Sequence, residues 1–309
     1  MEKKKKVLFI VIAAVLVAAV VCGAIFLPPV VNLKKNEETF RDAVLTSGIY
    51  QNDFESLYMQ PDIYDVMYEH VFNNTSGKTP KLLFIGYDGC RADMLSTVKD
   101  DKASGVARLY TDGTLLLCRA GGENKRDQNT DTAPGWAAIF TGMWGKQNGV
   151  VTNGSAKKAN VDTIMKQIHI AVGLSASFSY SWKPYHTTTY ADEAKAYPEL
   201  YNYCDNDILT IDGMVKAIND GKTAVFGVLE YCDSAGHNPL GGFDPKKPRY
   251  ITAFEDSEKA ANQLIDLVEV RDGEDWLIII ASDHGGYGTS HGDEKLMVCT
   301  TFFAMNKKL

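Results

Sequence analysis

The sequence predicts an α/β protein: a three-layer α/β/α sandwich around a mostly parallel sheet, preceded by one transmembrane helix. Three observations predict it. Continuous apolar runs of strand length recur from residue 80 onward, as strands buried on both faces require. Between several of them lie helix-like stretches that would cover the two faces. Ahead of them all, residues 7–27 form an uncharged apolar run long enough to span a hydrocarbon core of roughly 30 Å.

The chain opens with MEKKKK, a cytoplasmic tail by the positive-inside rule, which places everything after residue 27 outside the cell membrane. A cleaved signal peptide needs a shorter apolar run and a small-x-small site, which Cys22-Gly23-Ala24 fits poorly. Residues 7–27 therefore read as an uncleaved, single-pass signal anchor. Pro28 and Pro29 end that helix. Residues 28–79 read as a helical stalk or lid, broken at Pro61 and closed by the polar run NNTSGKTP.

The catalytic domain is expected over residues 80–309. Its predicted strands are KLLFIGY (81–87), AVGLSASFSY (171–180), TAVFGVLEY (223–231), WLIIIAS (276–282) and CTTFFAM (299–305). EDSEKAANQLIDLVEV, with Ala261, Leu264, Ile265 and Val268 on one face, is the clearest helix between them.

Composition narrows the function. At 309 residues, 45% hydrophobic and 23% charged, the chain holds a sizeable core. The net charge is −7, and MEKKKK has a surplus of three positive charges, so the other residues sum to about −10. That balance excludes a long nucleic acid, which needs a basic surface. A small anionic substrate remains compatible if metal ions supply positive charge. Beyond the anchor, Cys90, Cys118, Cys204, Cys232 and Cys299 show no C-x-x-C spacing and read as buried hydrophobes.

Ligands of open α/β sheets bind at the carboxyl ends of the strands. Three predicted strands lead into aspartate there: Asp88, Asp233 and Asp283. His237 follows in D-S-A-G-H, His284 in S-D-H-G, and His291 completes SDHGGYGTSHG. Each residue alone has a plainer reading, as a turn aspartate or a hydrogen-bonded histidine. Together they place half of the six histidines in strand-end motifs, and the mixed oxygen and nitrogen set suits zinc or a similar divalent ion. In DTAPGWAAIFTG, Thr132 stands just before Pro134, at the N-terminus of a helix. It is either a plain N-cap or a hydroxyl placed where an anion binds.

With these residues in view, KLLFIGYDGCR, T-A-P followed by T-G, NGVVTN, DSAGH and SDHG with a later H-G together resemble the type I phosphodiesterase and nucleotide pyrophosphatase branch of the alkaline phosphatase superfamily. The resemblance covers roughly residues 80–306 and implies an alkaline phosphatase-like fold. It also implies a Thr132 nucleophile and two divalent metal ions, with zinc the expected metal. One ion would be held by Asp233, His237 and His291, the other by Asp88, Asp283, His284 and the Thr132 oxygen. Asn153 falls on the phosphate-binding asparagine. Asn148 stands where the family has a histidine, and the chain stops at Leu309, where family members continue, which suggests a shortened sheet.

The implied substrate is a small phosphodiester or nucleotide, with Trp136, Trp182 and Tyr185 as an apolar wall and Arg91 aimed either into the site or into the next helix. A phosphomonoesterase, a phosphonate hydrolase and a non-catalytic anchored binding module stay open as alternatives. A sulfatase would require C/S-x-P-x-R where this chain reads Thr132-Ala133-Pro134-Gly135-Trp136. The oligomeric state is not legible.

Overall fold

The computed structural model describes residues 32–101, 103–124, 127–154 and 158–309. The expected tail and anchor, residues 1–27, lie outside the described residues. Among those described, no helix is long and apolar enough to cross a membrane. The chain divides into two units, Met1–Ala43 and Val44–Leu309, and the second carries the sheet.

Its strands are β1 (Tyr58–Met59), β2 (Thr79–Tyr87), β3 (Thr114–Arg119), β4 (Ala176–Tyr180), β5 (Tyr201–Tyr203), β6 (Ala224–Leu229), β7 (Glu274–Ala281) and β8 (Thr300–Met305). The helices are α1 (32–47), α2 (Asp62–Phe72), α3 (Gly105–Tyr110), α4 (Thr132–Thr141), α5 (Gly145–Asn148), α6 (Ile164–Ile170), α7 (Ala191–Ala196), α8 (Asp207–Asn219), α9 (Tyr231–His237), α10 (Pro248–Glu269) and α11 (Leu296–Cys299).

One sheet runs in the order β1-β3-β8-β7-β2-β6-β4-β5. Every neighbouring pair is parallel except those of β8, which runs against both β3 and β7. The sheet is thus mixed, with its centre parallel as the apolar runs require.

Period-two alternation sends successive side chains to opposite faces. Leu83 and Ile85 of β2, with Ile278 and Ile280 of β7, join the core built on Val106 of α3, Met214 of α8 and Leu264 of α10. Leu82 and Phe84, with Leu277 and Ile279, join the core built on Ile63 and Met67 of α2, Phe140 of α4 and Ile168 of α6. Both faces are covered, which is the three-layer arrangement.

Several expectations are corrected. The run at 171–180 yields a strand only from Ala176, because the Leu174 N–H closes a turn on the Ala171 carbonyl at 3.1 Å. The run at 223–231 stops at Leu229, so its strand-end acid is Glu230, and Asp233 lies in the first turn of α9. Residues 44–79, within the segment read as a stalk or lid, belong to the compact second unit. β1 pairs with β3, and Ile63, Met67 and Val71 of α2 are buried in the second core.

Candidate metal centre

β7, β2 and β6 are adjacent and parallel, so their carboxyl ends come together. Asp88 follows β2 and Asp283 follows β7 by two residues. Asp233 and His237, four apart, share a face of α9, with Asp233 Oδ2 3.5 Å from His237 Nε2. The loop after β7 brings His284 and His291 to the same place. Gly285 lets that loop fold closely: a Cβ there would lie 2.0 Å from the Met297 carbonyl oxygen.

The histidine tautomers follow from their partners. Nδ1 of His237 meets the Thr289 carbonyl at 2.9 Å, Nδ1 of His291 the Thr130 carbonyl at 3.0 Å, and Nδ1 of His284 the Gly285 carbonyl at 2.8 Å. A carbonyl only accepts, so each Nδ1 carries the proton and each Nε2 keeps its lone pair. All three Nε2 atoms face inward. Nε2 of His237 lies 3.0 Å from Nε2 of His291. Nε2 of His284 lies 3.3 Å from Thr132 Oγ1, 3.4 Å from Asp283 Oδ2 and 3.5 Å from Asp88 Oδ1. Asp233 Oδ1 is 3.6 Å from His291 Nε2.

Two imidazole lone pairs facing each other at 3.0 Å repel unless an electron-poor centre lies within their reach. Asp233 Oδ1, Asp283 Oδ2 and Glu230 Oε1 are buried without a hydrogen-bond partner, a costly condition for carboxylate oxygens. Burial, reinforced by Asp233, pushes the Asp88 carboxyl well up from its ordinary value; burial, reinforced by Asp88, does the same to Asp283 and Glu230. Burial and the neighbouring His291 hold His284 well below the usual histidine range. This donor set, short of positive charge, fits divalent cations. Two groupings have donor atoms within 4.8 Å of one another, Asp88 with Asp283 and His284, and Asp233 with His284 and His291. The first brings together three of the residues expected at one ion, the second two of those expected at the other with His284 added, and His237 Nε2 lies beside His291 Nε2.

Thr132, buried, opens α4 with its Oγ1 3.4 Å from Asp88 Oδ1. The Asp131 side chain makes no cap to α4; instead, the Ala133 N–H donates to Asn153 Oδ1 at 2.8 Å. Asn153 is therefore fixed beside Thr132 with its carboxamide oxygen occupied, which leaves its Nδ2 as the group to donate to an anion. Asn148 is buried as the last residue of α5. It donates to the Met143 carbonyl and accepts from the Val150 N–H, so the departure at this position supports the loop rather than the centre.

Sequence reasoning missed four contributors. Glu230 forms a third grouping with Asp88 and Asp233. Trp136, expected in an apolar wall, is fully buried and donates from Nε1 to Asp88 Oδ2 at 2.8 Å. Gln60, also buried, donates from Nε2 to the Asp283 carbonyl at 2.7 Å and the Ser282 carbonyl at 3.2 Å. Asp131 accepts from several neighbours of the centre. No periodicity marks these residues. Only Glu230, a charge ending an apolar run, carried a local signal.

Of the other expected wall residues, Tyr185 is fully buried, while Trp182 lines a cavity of about 440 Å³ with Ser181, Asp207, Glu230, Tyr231 and Ser234. Arg91 is not aimed at the centre. Its guanidinium pairs with Asp93 at 2.7 Å and donates to the Phe243 carbonyl at 2.8 Å.

No family model and no curated protein matches the chain. Solved structures do. A 2-O GAG sulfatase aligns at 14% identity and a TM-score of 0.51, over 74% of this chain and 64% of that one. Murine ectonucleotide pyrophosphatase/phosphodiesterase 5 aligns at 17% identity and a TM-score of 0.48, over 66% and 57%. The phosphonate monoester hydrolase of Agrobacterium radiobacter aligns at 14% and 0.48, over 74% and 68%. The chain spans less than two thirds of the length of the first two. At these identities the likeness is one of fold alone, the α/β sandwich shared with the sulfatase.

Proposed function

We propose that this chain is a metal-dependent hydrolase of phosphodiester or nucleotide pyrophosphate bonds, anchored in the cell membrane by residues 7–27 with its catalytic domain outside. The observation that carries the reading is the Thr132 hydroxyl, buried at the start of α4 and within 3.4 Å of both Asp88 and His284. Asp233, His237 and His291 would hold one divalent ion, and Asp88, Asp283, His284 and Thr132 the other. When bound, such ions, for which the donor set suits zinc, supply Lewis-acid stabilisation of a phosphoryl group and lower the pKa of a coordinated hydroxyl.

Thr132 Oγ1 is the attacking atom. Its bond to phosphorus forms as the bond to the leaving oxygen breaks, giving a phosphothreonine that water then hydrolyses. Asn153 Nδ2 holds a non-bridging oxygen, and Trp136 keeps Asp88 oriented through its bond to Oδ2.

Two observations favour a diester over a monoester. A monoester dianion calls for a guanidinium fork on its extra charge, and Arg91 is committed to Asp93 and Phe243. The cavity beside Glu230 and Trp182, about 440 Å³, gives a second ester arm room next to the reacting centre. The test is kcat/KM for nitrophenyl phosphate against a nitrophenyl nucleotide diester at fixed pH and zinc. A diester preference is expected; a monoester preference of tenfold, about 1.4 kcal/mol, overturns it.

A further inference from the structure

We propose that Asp131 is a positioning residue that sets the His291 side of the centre and the Asn153 anion loop together, an inference resting on the reading above. Aspartate at a helix N-cap ordinarily accepts from the N–H groups of its own helix. Asp131 holds that position in α4 yet makes no such bond. The cap is supplied across the chain by Asn153, whose Oδ1 takes the Ala133 N–H at 2.8 Å. The freed carboxylate is spent on two other elements.

Its Oδ1 lies 3.3 Å from His291 Nδ1, the nitrogen that also meets the Thr130 carbonyl at 3.0 Å. A carboxylate behind an imidazole fixes the ring's tautomer and raises the basicity of the opposite nitrogen. That nitrogen, Nε2, faces His237 and Asp233. The other oxygen, Oδ2, accepts from Thr152 Oγ1 at 3.3 Å, from the Asn153 N–H at 3.4 Å and from Asn129 Nδ2 at 3.2 Å. One carboxylate thus joins a candidate metal ligand to the loop that presents the anion-binding amide, from the residue next to Thr132.

The chain makes room for this at Gly292. Its φ is +94°, and a Cβ there would lie 2.7 Å from Asp131 Oδ1, so a side chain would be strained by its backbone and would strike the carboxylate. The Gly292 N–H in turn donates to the Thr130 carbonyl at 3.0 Å. Residues 291–292 thus donate to residues 130–131 from both the His291 ring and the Gly292 N–H.

The two duties separate in substitution. In Asp131→Asn, the carboxamide oxygen can still accept from Thr152 and Asn153, but its NH2 would face the protonated Nδ1 of His291, donor against donor. Asp131→Ala loses both.

The experiment uses the full chain in detergent and reads binding, not turnover. Zinc is titrated by competition with a chromogenic chelator, and inorganic phosphate by calorimetry at saturating zinc. For Asp131→Ala, one of two zinc affinities should fall roughly 10- to 100-fold, and phosphate should bind at least fivefold more weakly. For Asp131→Asn, the same zinc affinity should fall while phosphate stays within about twofold of wild type.

Either variant leaving both zinc affinities unchanged overturns the proposal, as does loss of phosphate binding in Asp131→Asn equal to that in Asp131→Ala. If neither variant accumulates as folded protein, Asp131 is a determinant of the fold and the proposal fails. Wild-type chain that binds zinc and phosphate with these responses but cleaves no phosphoester would sink the proposed function and leave the positioning role standing.

Discussion

Thr132, Asp88 and Asp283 can be placed from sequence because each follows a signal with a mechanism: a helix start marked by Pro134, or the end of an apolar strand. With Thr132 as the proposed nucleophile, Thr132→Ala should lower turnover by several orders of magnitude, since losing a covalent nucleophile costs more than losing a binding contact. Zinc content and melting temperature should stay close to wild type; retained turnover would point to direct attack by water. Glu230 makes a second residue-scale test through pH. Its carboxyl is raised by burial first and by Asp88 next, so in chelator the folded state holds a proton that the unfolded state, with an ordinary value of about 4.3, releases. A raised folded value gives stability that is present below the unfolded value and lost as pH rises through the folded one. His284, shifted down, acts the opposite way only below about pH 6.5. Chelated protein should therefore lose stability as pH rises above about 6.5, where His284 no longer opposes the loss; Glu230→Gln should flatten that slope, and excess zinc should abolish it. A slope unchanged in Glu230→Gln would remove Glu230 from the explanation.

Elements were legible where their apolar pattern was long. β2, β7 and β8 are continuous runs of strand length, and α10 shows a one-sided apolar face whose Ala261, Leu264, Ile265 and Val268 are all buried. β1 and β5 have two and three residues, too few for any period to show; they exist because β3 and β4 offer edges to pair with. The direction of β8 is likewise a tertiary outcome, since an apolar run does not record which way its strand points. In residues 44–79, Pro61 breaks the local helix pattern and stands at the N-cap of α2, directly after Gln60. Gln60 ties this segment to the centre, so Gln60→Ala should leave the Ser282 and Asp283 carbonyls without their buried donor. A cost of about 1–3 kcal/mol in unfolding free energy is expected, with weaker zinc binding. An effect below about 0.5 kcal/mol, the range of ordinary surface changes, would mean that the segment merely lies against the site.

At the scale of the molecule, both cores are built on one sheet, because adjacent residues of the same strand feed opposite faces: Leu82 and Phe84 one, Leu83 and Ile85 the other. Removing either layer would expose the alternate side chains of every central strand, so neither can be stable without the other. The same sheet positions the ligands, since Asp88 and Asp283 follow neighbouring strands whose register is set by Phe84 opposite Ile279 and Phe226. Folding and assembly of the centre are thereby one event, and metal bound only by the folded state should stabilise the whole unit by mass action. Residues 32–309, expressed without the apolar run, should therefore melt in a single transition. Its midpoint should rise with zinc concentration and fall on chelation, and elemental analysis of the active protein should give about two ions per chain. Two resolved transitions, or a midpoint indifferent to zinc, would separate the centre from the fold and contradict this argument. The membrane assignment needs its own test, because residues 7–27 lie outside the described residues: protease added to intact cells should digest the catalytic domain. Protection that is lost only when detergent opens the membrane would place the domain inside, against the four lysines that precede the apolar run.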